Sequence, residues 1–248
     1  LIASINFIKK IIKIRKINLK INSNNYLPFN RLKIRLKKEI VTLGKGKINV
    51  NKSKGILVSP KDWDDIISNK DFKIIDTRNN FEIKIGSFKN AINPETNSFR
   101  EFPEKFNKLN IDKKSKIAMF CTGGIRCEKA SSYLKENGYK NIFQLNGGII
   151  NYLIYKKNRN LNKKSSWNGE CFVFDDRVAI DRDLASGKYV QCYGCRGALT
   201  KKDTESKYYK KGVHCPHCFS LRTVKQKIRS ETRQKQIDLN KKNNVNDN

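Results

Sequence analysis

The sequence predicts an α/β protein built on a parallel sheet, and three observations carry that prediction. Short apolar runs at 72–75, 116–120 and 141–145 have the length and content of buried strands. Stretches with helical spacing separate them, and strands alternating with helices close most simply as a parallel sheet with flanking helices. Loops of small residues, CTGG at 121–124 and NGG at 146–148, follow two of the runs. They stand at the carboxyl ends of strands, where open parallel sheets place their functional groups.

A chain of 248 residues is long enough for more than one module. Its formal net charge of +30 points to a polyanionic partner, nucleic acid first. The competing explanation is compositional drift, since abundant Lys, Asn and Ile together resemble an AT-rich coding sequence. Seven cysteines invite a disulfide reading, but four form two CxxC pairs and one heads the small-residue loop. That is the pattern of metal and catalytic use in a reducing compartment, so a cytoplasmic location is expected. No apolar run approaches ~18 residues, so no membrane span is expected.

The chain begins at Leu1 inside an element already under way, and a missing amino-terminal part is expected. Ile5, Ile8 and Ile12, with Phe7 and Ile11 beside them, fit one face of a short helix with Lys9, Lys10 and Lys13 on its wet side. A basic helix lying on a membrane surface is the rival reading. Arg31 to Val41 alternates Leu32, Ile34 and Leu36 with Arg and Lys, the period of a half-buried strand whose solvated face is strongly positive. The polar stretch 44–55 reads as a linker.

Ser59, Pro60 and Asp62 are spaced as an N-cap, a first-turn proline and an N3 acid, which predicts a helix from about Pro60 to Ser68 with Trp63, Ile66 and Ile67 inward. The strand Phe72 to Ile75 then delivers Asp76, Thr77 and Arg78. Phe99 to Leu109 is the next helix, Lys116 to Phe120 the central strand, and Asn141 to Leu145 a further strand before an apolar helix. The stretch after Lys156 is a second linker, Trp167 to Asp181 an aromatic and β-branched strand, and the tail from Lys225 a charged helix that frays. Cys171 has no partner at ligand spacing and is expected to be a small buried hydrophobe.

Cys121 closes the central strand. Thr122, Gly123 and Gly124 offer little side chain to shield their N–H groups, and the helix beginning near Ile125 directs its positive end at the same point. Both effects favour thiolate over thiol, and Arg126 adds a fixed positive charge. The plain alternative is an inert buried cysteine beside a chance Gly-Gly turn. Cys127, in the first helical turn just past Arg126, is either a resolving thiol, which would have to meet the Cys121 sulfur at disulfide range, or a small packing residue. Cys192-Tyr193-Gly194-Cys195 and Cys215-Pro216-His217-Cys218 are two knuckles nineteen residues apart. That spacing suits a four-cysteine zinc ribbon, with a redox dithiol or unmetallated thiols as alternatives and with His214 and His217 as candidate substitutes. The glycine-rich stretches lack the GxGxxG order of a dinucleotide site.

The order IDTR (75–78), FEIKIGSFKNAINP (81–94), CTGGIRCEKA (121–130) and LNGGI (145–149) resembles a single rhodanese domain. RLKIRLKKEIVTLG (31–44), SFREFPEKF (98–106), WNGECFVFDDRVA (167–179) and the two CxxC pairs narrow the resemblance to the bacterial tRNA uridine(34) hydroxylases, over about Ile5 to Ile237. The resemblance implies an oxidoreductase that makes 5-hydroxyuridine at the wobble position of the tRNA anticodon loop, with molecular oxygen as co-substrate and no redox cofactor specified. It implies Cys121 as essential thiol with Arg126 closing a loop of Thr122, Gly123, Gly124 and Ile125, and Asp76 and Arg78 as loop support. Its domain layout is a partial ferredoxin-like α+β domain at 1–43, a rhodanese-like domain at 56–157, an extension with the zinc module at 165–222 and a charged tail at 223–248. A plain sulfurtransferase carrying a Cys121 persulfide is the alternative, and the oligomeric state is open.

Overall fold

The computed structural model describes residues 2–13, 34, 36–37, 39–46, 48–50, 54–161 and 164–246, the last six as helix backbone. The chain divides into two compact units, 1–35 and 36–248. In the first, helix α1 (Ile2–Ile11) forms where the apolar spacing places it, with Phe7, Ile8 and Ile11 exposed. Of the strand expected over Arg31 to Val41, residues 31–33, 35 and 38 lie outside the described residues. Its described positions carry no strand, and Ile34 and Leu36 are solvent-exposed rather than half-buried. The ferredoxin-like layout expected at 1–43 likewise lies mostly outside what is described.

The second unit is organised by a four-stranded parallel sheet in the order β1 (Ile56–Val58), β5 (Ile142–Leu145), β4 (Lys116–Phe120) and β2 (Phe72–Asp76). Strand β4 is interior, with Ile117 to Phe120 fully buried, as a strand covered on both faces should be. Alternation along the strands sorts the core into two layers. Ile74, Ala118 and Phe120 pack on one face with Trp63, Leu145, Ile149 and Trp167. Ile75, Ile117, Met119 and Cys121 pack on the other with Cys127, Ala130, Leu134, Phe102 and Phe106. The helices between are α2 (Trp63–Ser68), α3 (Asn80–Ile83), a 3-10 turn at Phe99–Glu101 leading into α4 (Phe102–Asn107), α5 (Ile125–Glu136) and α6 (Gly148–Asn158).

Several expected boundaries move, each for a local reason. Helix α2 starts at Trp63, with Asp62 rather than Ser59 at the N-cap position and no side-chain capping bond, because Ser59 Oγ donates to Asp62 Oδ2 at 2.7 Å and closes a separate turn first. Val41 and Leu43, just before the expected linker at 44–55, pack on the core with Leu43 fully buried, and Ile48 within that stretch packs against the same cluster.

The long strand expected over Trp167 to Asp181 is three short pieces: β6 (Trp167–Gly169), β7 (Cys171–Phe172) and β8 (Ala179–Ile180). Strand β6 leaves its neighbours to pair antiparallel with β3 (Gly86–Phe88). That pairing brings Trp167 against Phe88, whose ring meets Trp63, Phe120, Tyr152 and Trp167 edge-on at centroid separations of 6.0, 4.8, 4.9 and 5.0 Å. Truncating one such hub residue typically costs ~3–5 kcal/mol. The extension after residue 165 is therefore fastened to the parallel-sheet core through Trp167.

Beyond it, β9 (Val190–Gln191) and β10 (Ala198–Leu199) form a hairpin, followed by α7 (Lys201–Thr204) and by the helix expected in the charged tail, α8 (Val224–Asn246). Among the described residues no helix is long and apolar enough to cross a membrane.

Candidate active site and metal centre

The parallel register aligns Asp76 with Phe120, so the ends of β2 and β4 present Thr77 and Cys121 side by side. Thr77 is tied across the strands, its N–H and Oγ1 both donating to the Phe120 carbonyl at 3.0 Å. From Cys121 the chain turns through Thr122, Gly123 and Gly124 into α5. Gly124 N–H donates to Cys121 Sγ at 3.0 Å, and Gly124 adopts φ 93°, a left-handed conformation that glycine enters without strain.

A second helix closes the cradle from the other side. Ile149 N–H and Ile150 N–H, in the first turn of α6, donate to the carbonyls of Cys121 and Thr122 at 3.0 and 3.1 Å. This approach requires Gly148, because a Cβ there would lie 2.4 Å from the Cys121 carbonyl and 2.7 Å from that of Thr122. The two glycine-rich signals in the sequence are thus two halves of one loop cradle.

Cys121 is 2% exposed, yet its thiol is pulled down to about 5. The largest cause is the Cys127 side chain, whose S–H supplies a hydrogen bond to the sulfur. Burial opposes the shift, and the Arg126 charge and the N–H groups of Cys127 and Arg126 add to it. Cys127 moves the opposite way, well above the ordinary thiol range, first because it is buried and then because it faces the Cys121 thiolate. Its sulfur also lies 3.5 Å from Thr77 Oγ1. Arg126 contributes less than a bare cation would, because its charge is already matched.

That match is Glu82, fully buried on the one-turn helix α3. Arg126 Nη1 and Nη2 donate to its two carboxylate oxygens at 2.6 and 2.7 Å, and Thr122 Oγ1 sits 3.3 Å from both groups. The bidentate geometry fixes the far end of the loop. Glu82 was not singled out by the sequence. Its only signal is the spacing from Asn79, whose N–H donates to Glu82 Oε2 at 3.1 Å, and that signal marks a helix start rather than a loop anchor.

Asp76 and Arg78 pair bidentately at 2.9 and 2.7 Å, and both are fully buried. Arg78 also donates to the Gly86 carbonyl at 2.6 Å and lies 5.2 Å from the Trp167 ring centroid. Ser87 Oγ donates to Asp76 at 2.7 Å. This cluster joins β2, β3 and β6 and makes no hydrogen bond to the 121–126 loop, so it holds the strands on which the loop stands. Cys171 is fully buried beside it, and burial pushes its thiol up to about 12, the state of an inert packing residue.

The four knuckle cysteines come together at the other end of the unit, all their sulfurs within 4.8 Å of one another. Cys192 to Cys218, Cys195 to Cys215 and Cys215 to Cys218 measure 3.9, 3.8 and 3.7 Å. Tetrahedral thiolates at a zinc–sulfur length of about 2.3 Å stand about 3.8 Å apart, so the donor set fits zinc in size and chemistry. Cys192, Cys195, Cys215 and Cys218 would hold it as a closed structural site. His214 instead places Nδ1 2.8 Å from the Tyr208 carbonyl, and His217 pairs with Asp203 at 3.0 Å, so neither histidine joins the cluster.

Residues 59–154 match the family model described as Rhodanese-like domain. The chain therefore carries a rhodanese-like domain. Among solved structures it is similar to a rhodanese-related protein from Thermoplasma volcanium, at 28% identity over 40% of this chain and 92% of that one, TM-score 0.35. It is also similar to the polysulfide-sulfur transferase homodimer of Wolinella succinogenes, at 27% identity over 43% of this chain and 80% of that one, TM-score 0.36. A rhodanese-like domain protein from Staphylococcus aureus matches at 22% identity over 39% and 90%, TM-score 0.34.

Proposed function

We propose that the chain is a tRNA-modifying enzyme in which the Cys121 thiolate acts as a nucleophile on the wobble uridine and the base leaves as 5-hydroxyuridine. The observation that carries this reading is a thiolate stabilised at the start of α5 by Gly124 N–H and the Cys127 thiol, in a chain whose net charge of +30 suits an RNA substrate. The motifs flanking the rhodanese-like domain supply the base and the position. An anticodon loop presents uridine 34 already unpaired, so turning it out costs little.

In this reading Cys121 Sγ bonds to C6 of the uracil, and the electron pair of the C5–C6 double bond makes C5 nucleophilic toward molecular oxygen. C5 gains one oxygen atom, C5–H is lost as a proton, and the C6–S bond breaks to restore the ring and the thiolate. The second oxygen atom leaves as water, with two electrons and two protons from an external thiol pair that ends as a disulfide. Arg126, held by Glu82, fixes the far end of the loop around the sulfur.

Sulfur transfer is the second reading, favoured by the match over 59–154 and by the same thiolate. There Cys121 takes the outer sulfur of thiosulfate, sulfite leaves, and a persulfide remains for a thiol acceptor.

The deciding experiment is nucleoside mass spectrometry of tRNA from cells with and without the gene, complemented by wild-type or Cys121→Ser protein. Loss of 5-hydroxyuridine that only wild-type protein restores is expected. Unchanged tRNA together with thiosulfate turnover by the purified chain would replace this reading with the second.

A further inference from the structure

A cleft of about 760 Å³ opens between the second turn of the first cysteine knuckle and helix α8. Arg196, Arg222, Arg229 and Arg233 line it with Tyr193 and Gln236, and no acidic side chain does. The acids of this region lie elsewhere: Glu231 pairs with Lys210 at 2.5 Å and Asp203 with His217. Gln226, Arg229, Arg233 and Gln236 recur at helical spacing, which places one face of α8 along the cleft.

Composition makes this concentration informative. Of the 53 basic residues, 40 are lysine and 13 arginine, yet the cleft draws four arginines and no lysine. Drift toward lysine does not gather arginines in one place. Arginine differs from lysine in binding a phosphate through two parallel N–H groups.

Part of the site is already braced. Arg222 donates to the Gly194 carbonyl at 2.7 Å and to Ser230 Oγ at 2.7 Å, while its Nε is buried with no hydrogen-bond partner among the described residues. Arg233 donates to the Gly212 carbonyl at 3.0 Å. Arg196 and Arg229 are exposed and make no ion pair among the described residues, so two guanidinium groups face solvent with their charge unspent. Tyr193 is 48% exposed beside them, a ring on which an unpaired base stacks.

We infer that this cleft binds a single-stranded segment of RNA, with Arg196 and Arg229 on consecutive phosphates and Tyr193 under a base. The zinc module then acts as a grip on the substrate and not only as a folded cap. The identity of the RNA as tRNA rests on the proposed function, whereas the cleft's affinity for a strand does not.

The test uses the full-length zinc-loaded chain and a fluorescein-labelled anticodon stem-loop or oligouridine, titrated by anisotropy at several salt concentrations. Arg196→Ala with Arg229→Ala should weaken binding at least tenfold and flatten the slope of log affinity against log salt by about 1.4, since each single-strand phosphate contact contributes about 0.7. Tyr193→Ala should weaken binding with no change of slope. Should the double alanine variant lose zinc or helix content, the two lysine substitutions replace it, with an intermediate loss expected. Unchanged affinity and slope in these variants, or no RNA binding by the wild-type chain, overturns the assignment. So does tighter binding to phosphatidylserine vesicles than to RNA, lost in the same variants. Hydroxylated tRNA with unaltered binding in the variants sinks the cleft alone, and cleft-dependent binding without tRNA modification sinks the catalytic reading alone.

Discussion

The protein has two cysteine sites that solve the same electrostatic problem by different means. At Cys121 one buried sulfur carries negative charge and is stabilised by Gly124 N–H, the Cys127 thiol, the Arg126 charge and the N–H groups that open α5, while the start of α6 braces the loop through its carbonyls. At the knuckles four sulfurs crowd within 4.8 Å, too many for backbone dipoles to stabilise as anions, and a divalent cation is the group that fits. One site leaves its thiolate free of any ligand bond. The other offers four thiols in the arrangement of a closed metal site.

Metal removal separates the two most sharply. Among the described residues the apolar material around the cysteines is small, Leu199 with Tyr209, and a structural zinc supplies on the order of 10 kcal/mol to such a module. Chelation under reducing conditions should unfold the region from about residue 190 onward while leaving the parallel sheet intact. Amide exchange read peptide by peptide checks this, and simultaneous loss of protection in β4 would break the comparison.

Loop anchoring is the next largest effect. Glu82→Gln leaves the Arg126 guanidinium, only 12% exposed, without its carboxylate, at a cost of about 3 kcal/mol. Thermal denaturation should show the loss, and reactivity of Cys121 should fall with it. The knuckle cysteines should bind zinc as before.

Gly148→Ala should destabilise by a similar or smaller amount, because its Cβ collides with the Cys121 and Thr122 carbonyls. α6 must then withdraw from the cradle. A variant as stable and as reactive as wild type would mean that the second helix start does not brace the loop that carries the sulfur.

The smallest effect is at Cys127. Cys127→Ser keeps a hydrogen-bond donor beside the sulfur and should retain most activity, whereas Cys127→Ala should raise the Cys121 pKa and move its alkylation profile to higher pH. Equal inactivation by Cys121→Ser and Cys127→Ser, with the fold intact, would make Cys127 a second reacting thiol.

What could be read from sequence differs between these regions for physical reasons. Strand β4 and the loop after it were legible because an interior parallel strand is continuously apolar and a cradle of backbone N–H groups needs small residues, both local properties. The knuckles were legible because ligand geometry fixes their spacing. Glu82 and Arg126 are 44 positions apart, and nothing local ties one to the other. Trp167 was read as the start of one long strand, since the sequence does not reveal that β6 pairs with β3 and passes its ring to Phe88 and Arg78. The Arg-lined cleft was missed for the same reason, its members being brought together only when α8 packs beside the first knuckle.

The most direct test of the contrast is the pH dependence of Cys121 alkylation by iodoacetamide in the zinc-loaded chain, followed residue by residue by mass spectrometry. Cys121 should react with a midpoint near pH 5 and reach its plateau by neutrality, while the four knuckle cysteines stay unmodified. A Cys121 midpoint in the ordinary thiol range of about 8.5 would show that the cradle does not stabilise a thiolate.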